Sequence, residues 1–148
     1  GGGLISMLKT GLVIFISCAM AGLLEALSLF ERISNVFKRY HKRSQIFLVT
    51  AITSVISACF GGNQSIAVVM TSEIMRSVYS ENTIDKYKLA NDISNTAILF
   101  APMIPWNVAV FVPSLTWGVE PVRIIPFAFY LMIPFVYNYI RIRMNENY

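Results

Sequence analysis

The sequence predicts an all-α integral membrane protein of three transmembrane helices and one re-entrant helical hairpin, with one of the spans broken. Three observations carry this. First, 55% of the 148 residues are hydrophobic and only 14% are charged, where a soluble domain carries about 25% charged residues; the mean hydropathy is +0.59. Second, residues 10–24, 44–72, 93–119 and 124–140 contain no Asp, Glu, Lys or Arg, and a helix crossing ~30 Å of hydrocarbon needs ~20 mostly apolar residues. Third, two of these runs are interrupted by helix breakers mixed with amides, "GGNQ" at 61–64 and "PMIPWN" at 102–107.

The first span is expected at residues 9–30, ending at the basic loop 31–43, "ERISNVFKRYHKR". Arg32, Lys38, Arg39, Lys42 and Arg43 lie in that loop, and basic loops beside spans record cytoplasmic placement. The net charge of +4 is therefore no sign of a nucleic-acid partner. The next unit, 44–77, is long for one span and short for two. Its direction follows from charge. A single crossing would split the basic residues evenly between the two sides, whereas a re-entrant hairpin turning at Gly61 and Gly62 leaves only Lys9 and Arg123 outside. Orientation follows such a bias, so the hairpin is preferred, and loops 31–43 and 76–92 and the C-terminus fall on the cytoplasmic side.

The hairpin arms, 44–60 and 64–77, would each be roughly 20–26 Å long as helices, reaching into the bilayer without crossing it. Bare backbone at that depth is tolerated only against protein or a water-filled cavity. The third unit, 93–117, is a span broken at "PMIPWN". The fourth, 121–140, carries Pro126 and Pro134, with Tyr130, Tyr137 and Tyr139 as interface anchors. A lone Pro134 reads as an ordinary kink. Cys18 and Cys59 lie in apolar runs, as free thiols rather than a disulfide framework. The chain reads as one transmembrane domain over 1–148, and its start, "GGGLIS" without a Met, reads as a piece of something longer.

At a helix break, carbonyls from one half-helix and amides from the next are left without intrahelical partners, attracting cations and anions respectively. Secondary transporters build their sites from such discontinuous helices. The breakers here are Gly61, Gly62, Pro102 and Pro105, and the neutral ligands beside them are Asn63, Gln64, Ser65, Asn95, Thr96 and Asn107. Na⁺ held at Asn63, Thr96 and Asn107 is the metal expectation, with no catalytic residue. Glu25 lies about 8 Å along its helix from Phe30. An intramembrane carboxylate is a functional candidate, here as proton carrier, though Glu25 reads equally as a side chain snorkelling or paired near the membrane face. Glu31 and Glu73 read as solvated, and His41 as a surface residue. An enzyme is not supported, with no second His, no HExxH and no Ser-His-Asp set.

Three stretches, "GLLEALSLFE", "TSVISACFGGNQSIAVVM" and "NTAILFAPMIPWNVAVF", resemble the C-terminal half of the NhaC family of sodium/proton antiporters, within the wider ion-transporter superfamily. The similarity covers nearly all 148 residues, and "APMIPWN" is close to a "PLIPWN" string of that family. The resemblance implies half of an inverted-repeat transporter, with the partner repeat preceding Gly1. It implies Na⁺/H⁺ antiport across the cytoplasmic membrane by alternating access, with Na⁺ and H⁺ as transported ions and no other cofactor. The partners implied are the lipid bilayer, Na⁺ and the missing repeat, with a homodimer left open. There are departures. Asn63 stands where family members carry an acidic residue, and Asn95-Thr96 where many have Asp-Ser or Asp-Thr. Amides do not titrate, so the proton falls to Glu25 or to a carboxylate in the missing half, or this branch couples Na⁺ to something else. The alternative is a Na⁺-coupled transporter or exchanger of a small carboxylate or amino acid, since relatives exchange malate and lactate. A non-transporting membrane subunit is the third reading.

Overall fold

The structure, a computed structural model, describes residues 26–146 and, ahead of them, 8, 11–12, 15–16, 18–20 and 22–23. Glu25 and part of the span expected at 9–30 lie outside the described residues. Every regular element among the described residues is helical, with no strand.

Helix α1 spans Leu29–Phe37, running from the end of the expected span into the stretch 31–43 read from sequence as a loop. Its helicity has a physical cause. Phe30 and Phe37 recur at a spacing of seven with buried Ser34 between them, so one face packs on the hairpin while Arg32 stays exposed. Ser34 Oγ meets Ser77 Oγ on that face. Helices α2 (Arg43–Gly61) and α3 (Gln64–Glu81) then form an antiparallel hairpin. The turn needs Gly62, which adopts φ 59°, a left-handed conformation that costs a residue with a Cβ roughly 1–2 kcal/mol. Asn63 caps α3. Helix α3 runs one turn past the expected arm, and α4 (Lys86–Ser94) begins after a short link capped by Asp85. The expected loop 76–92 is therefore mostly helix.

The third unit is discontinuous: α4, then α5 (Ala97–Phe100), a 3-10 turn (Ala101–Met103), an irregular stretch through Asn107, and α6 (Val108–Trp117). Pro102 sits in the 3-10 turn, where a missing N–H costs little. The fourth unit is α7 (Pro121–Ile124), a 3-10 stretch (Ile125–Leu131) and α8 (Met132–Glu146). Arg43–Gly61 and Pro121–Glu146 are each long and apolar enough to cross a bilayer, and Lys86–Met103 with Val108–Trp117, bent by 45°, would make a third span.

Two apolar clusters hold these elements together. The larger joins α2, α3 and α4 through Ile46, Val49, Ile74, Met75, Val78 and Ile93. The smaller, Ala58, Ala67, Ala101 and Ile104, lies at the hairpin tip, where small side chains let helix backbones approach closely. Hydroxyls buried on α2 find partners close by: Thr50 and Thr53 donate to carbonyls one turn back, both at 2.8 Å, and Ser54 shares its one proton between Thr50 O (2.7 Å) and Thr96 Oγ1 (2.9 Å). Phe135 fastens α8 to this body by stacking on Phe47 (5.4 Å between centroids) and meeting Phe100 edge-on (5.2 Å). The opposite side of the last segment exposes Phe127, Phe129, Ile133 and Tyr137, a large apolar surface of the kind that lipid or a partner covers.

Candidate functional site

The end of α2 presents carbonyls that no further turn of helix can use. The broken segment supplies their donors. Val108 N–H donates to Gly62 O (2.8 Å), Trp106 Nε1–H to Cys59 O (2.9 Å) and Asn107 Nδ2–H to Ala58 O (3.2 Å). The two breaks are thus one site, in which the interruption of the third unit docks on the tip of the hairpin. Within the hairpin the tip is close-packed: a Cβ on Gly61 would stand 3.0 Å from Ile66 Cγ2, so a larger residue there requires Ile66 to shift by a few tenths of an ångström.

The expected site residues divide by what they touch. Asn107 is fully buried, donates to Ala58 O and accepts from Ala109 N–H at 3.0 Å, capping α6. Asn63 is half-buried and accepts from Ser65 N–H at 2.9 Å. Gln64 is half-buried and Ser65 exposed in the first turn of α3. Thr96, also fully buried, donates to Asp92 O (2.7 Å) and accepts from Ser54 Oγ (2.9 Å). Ser54 and Ala58 are one turn apart on one face of α2, about 6 Å along its axis, so Thr96 and Asn107 address neighbouring levels of the same helix. Asn95 is different. Its amide turns back to Asn91 O at 2.7 Å, away from the hairpin contacts. Pro105 lies in the irregular stretch between the 3-10 turn and α6.

One group of residues escaped the sequence reading. Asp92, 1% exposed, pairs with Arg43 at the start of α2 and accepts from the Tyr79 hydroxyl at 2.5 Å; Thr50 Oγ1 lies 3.0 Å from the same hydroxyl. A carboxylate this buried is costly unless its charge is matched; Arg43 supplies the opposite charge and, with the Tyr79 hydroxyl, donates to one of its oxygens, Oδ2. The signal was present. Leu89, Ile93 and Ala97 mark the buried face of α4 and α5, and Asp92 falls within that stripe, four residues before Thr96. The arrangement ties α4 to the base of the hairpin, as Thr96 ties its continuation to the middle and Asn107 to the tip.

Fold and site together define an all-helical membrane protein in which a discontinuous helix closes over a helical hairpin. The sequence model of the Na⁺/H⁺ antiporter family matches residues 1–140, and the chain belongs to that family, one of transporters rather than enzymes. It is 27% identical over 133 residues to the Na(+)/H(+) antiporter NhaC of Bacillus subtilis (strain 168), covering 89% of this chain and 29% of that protein. To the NhaC of Alkalihalophilus pseudofirmus it is 24% identical over 137 residues, covering 91% and 30%. To the Malate-2H(+)/Na(+)-lactate antiporter of Bacillus subtilis (strain 168) it is 26% identical over 127 residues, covering 85% and 27%. The chain thus spans about three-tenths of the length of the curated relatives it matches. No solved structure matches it.

Proposed function

We propose that these residues form the C-terminal repeat of a Na⁺/H⁺ antiporter of the cell membrane, working by alternating access with the cation held where the broken helix meets the hairpin tip. The observation that carries this is the docking of the two breaks: Val108, Trp106 and Asn107 satisfy Gly62, Cys59 and Ala58. Polar groups at a helix discontinuity, set against a second discontinuity, are the arrangement from which secondary transporters build ion sites. In this reading 44–77 is a re-entrant hairpin, 93–117 a broken span, and the basic ends of the helices face the cytoplasm. Neutral oxygens of Asn63, Thr96 and Asn107 hold Na⁺, with Gln64 and Ser65 on the approach. Glu25 is the candidate proton carrier. A partner repeat in the longer protein covers the exposed apolar faces.

The test uses the full-length transporter that contains this chain, in everted vesicles with a pH-sensitive dye. Addition of Na⁺ dequenches the dye, and Asn63→Leu and Asn107→Leu abolish the response in protein shown to be inserted. No dequenching at any pH sinks the antiport reading. A Na⁺-coupled exchanger of a small carboxylate is the second reading, supported by the similarity to the malate and lactate antiporter. Sodium-dependent uptake of a labelled carboxylate, without proton movement, would establish it instead.

A further inference from the structure

At the base of the hairpin, away from the breaks, the start of α2, the middle of α4 and the end of α8 enclose an open cleft of about 360 Å³. Its walls are cationic and rich in amides: Arg43 from α2, Lys88 and Asn91 from α4, and Asn138 and Arg141 from α8. Arg43 is matched by Asp92, whereas Lys88 and Arg141 form no ion pair among the described residues. The cleft already accommodates one anionic group. Glu146, at the end of α8, seats its carboxylate on the first turn of α2, accepting from Ser44 N–H and Ser44 Oγ, both at 2.6 Å. Exposed amides and the positive end of the helix dipole favour an anion at that point, and a carboxylate from the same chain stands there with two hydrogen bonds.

We propose that this cleft binds a phosphate group, with Lys88 and Arg141 as its principal partners and Glu146 as an internal competitor. The inference does not depend on the antiport reading. Its position favours a lipid headgroup as the source of the phosphate. Arg43 opens one bilayer-length apolar helix, and Arg141 to Glu146 close the other, so the cleft lies at the ends of both, at headgroup level. Basic pockets between helices at the cytoplasmic surface are where anionic headgroups bind. Arginine offers phosphate two parallel donors and lysine a point charge, and the cleft provides one unpaired side chain of each kind. When Glu146 leaves Ser44, two positive charges and the α2 amides face the same space, and among the described residues lining the cleft the one remaining carboxylate is the paired Asp92. Phosphate binding and release of the α8 terminus from the hairpin are then one exchange.

The test is retention of lipid by the full-length transporter, measured by native mass spectrometry after purification from phosphatidylglycerol or phosphatidylcholine nanodiscs, with a separate titration of inorganic phosphate against thermal stability. Wild-type protein retains phosphatidylglycerol over phosphatidylcholine. Lys88→Gln/Arg141→Gln, both at exposed positions, weakens that retention at least tenfold, and Glu146→Gln strengthens it several-fold. Stabilisation by inorganic phosphate that the double variant loses supports the site and identifies a soluble source. Equal retention of both lipids by wild type with no phosphate response overturns the proposal. So does a double variant indistinguishable from wild type, or weaker retention in Glu146→Gln.

Discussion

Asn107→Leu set against Asn63→Leu separates a side chain that holds the fold from one that only ends a helix. Leucine at 107 removes two bonds from a side chain with no solvent exposure. Loss of the cap on Ala109 N–H costs about 1 kcal/mol, and stranding the buried Ala58 carbonyl adds about 1–3 kcal/mol. The expected loss is therefore about 2–4 kcal/mol. Leucine at 63 removes only the cap on Ser65 N–H at a half-buried position, about 1 kcal/mol. Asn107→Ser keeps a capping oxygen and should fall between the two leucine variants. Thermal midpoints of the purified full-length transporter in detergent, with and without Na⁺, give the ranking directly. An equal loss from the two leucine variants, or Asn107→Ser no better than Asn107→Leu, refutes the reasoning from the hydrogen bonds. The Na⁺ response is a separate readout. Saturating Na⁺ at 100 times its Kd stabilises by about 2.7 kcal/mol. If both leucine variants keep that increment, the packing argument stands and the proposed ligand role falls.

Further outcomes follow from the same contacts. Gly62→Ala forces a Cβ into φ 59°, so the thermal midpoint falls by the equivalent of about 1–2 kcal/mol, more than for alanine at a helical glycine. Trp106→Phe keeps a ring and loses the bond to Cys59 O, about 1 kcal/mol; hydrogen exchange at the Val108 amide rises with it. Phe135→Ala removes two ring contacts, together about 1–3 kcal/mol, and exchange rises through α8 ahead of the hairpin. Asp92→Ala leaves the half-buried Arg43 without its counter-ion and costs about 3–5 kcal/mol. Adding Arg43→Met recovers part of that in the thermal midpoint, because the uncompensated charge is gone.

The breaks were legible because Gly, Pro and amides in a charge-free run have no inexpensive place in lipid. "GGNQ" and "PMIPWN" stand out by composition alone, and the structure turns at Gly62 and unwinds between Phe100 and Val108. The contact between the breaks was not legible, since nothing local to Asn107 names Ala58 as its acceptor 49 residues earlier. Helix α1 was missed because Arg32, Lys38 and Arg39 dominate the composition of 31–43, masking the Phe30 and Phe37 stripe. Asp92 was missed for a related reason. A carboxylate flanked by Lys88 and Asn91 looks solvated until Leu89, Ile93 and Ala97 are seen to bracket it on one face.

The oxygens assigned to Na⁺ in the proposed function are already in use, and this constrains how a cation could bind. Asn63 Oδ1 accepts from Ser65 N–H, Asn107 Oδ1 from Ala109 N–H, and Thr96 Oγ1 from Ser54. An amide oxygen has two lone pairs, as does a hydroxyl oxygen that is also donating its proton. Each of the three therefore has one pair committed to the fold and one free. Oxygens fixed by capping bonds lose little further freedom when a cation arrives, which lowers the ordering cost that binding otherwise carries. The same economy removes any clean separation between site and scaffold, because a substitution that deletes the free lone pair also deletes the cap. Asn107→Asp is the informative exception. It keeps an acceptor for Ala109 N–H, loses the donor to Ala58 O, and adds a charge beside the proposed cation. If the site is where we propose, Asn107→Asp is less stable than wild type without Na⁺ and regains more stability than wild type when Na⁺ is added. A loss of stability that Na⁺ does not repair would show that Asn107 serves the docking of the two breaks and nothing else.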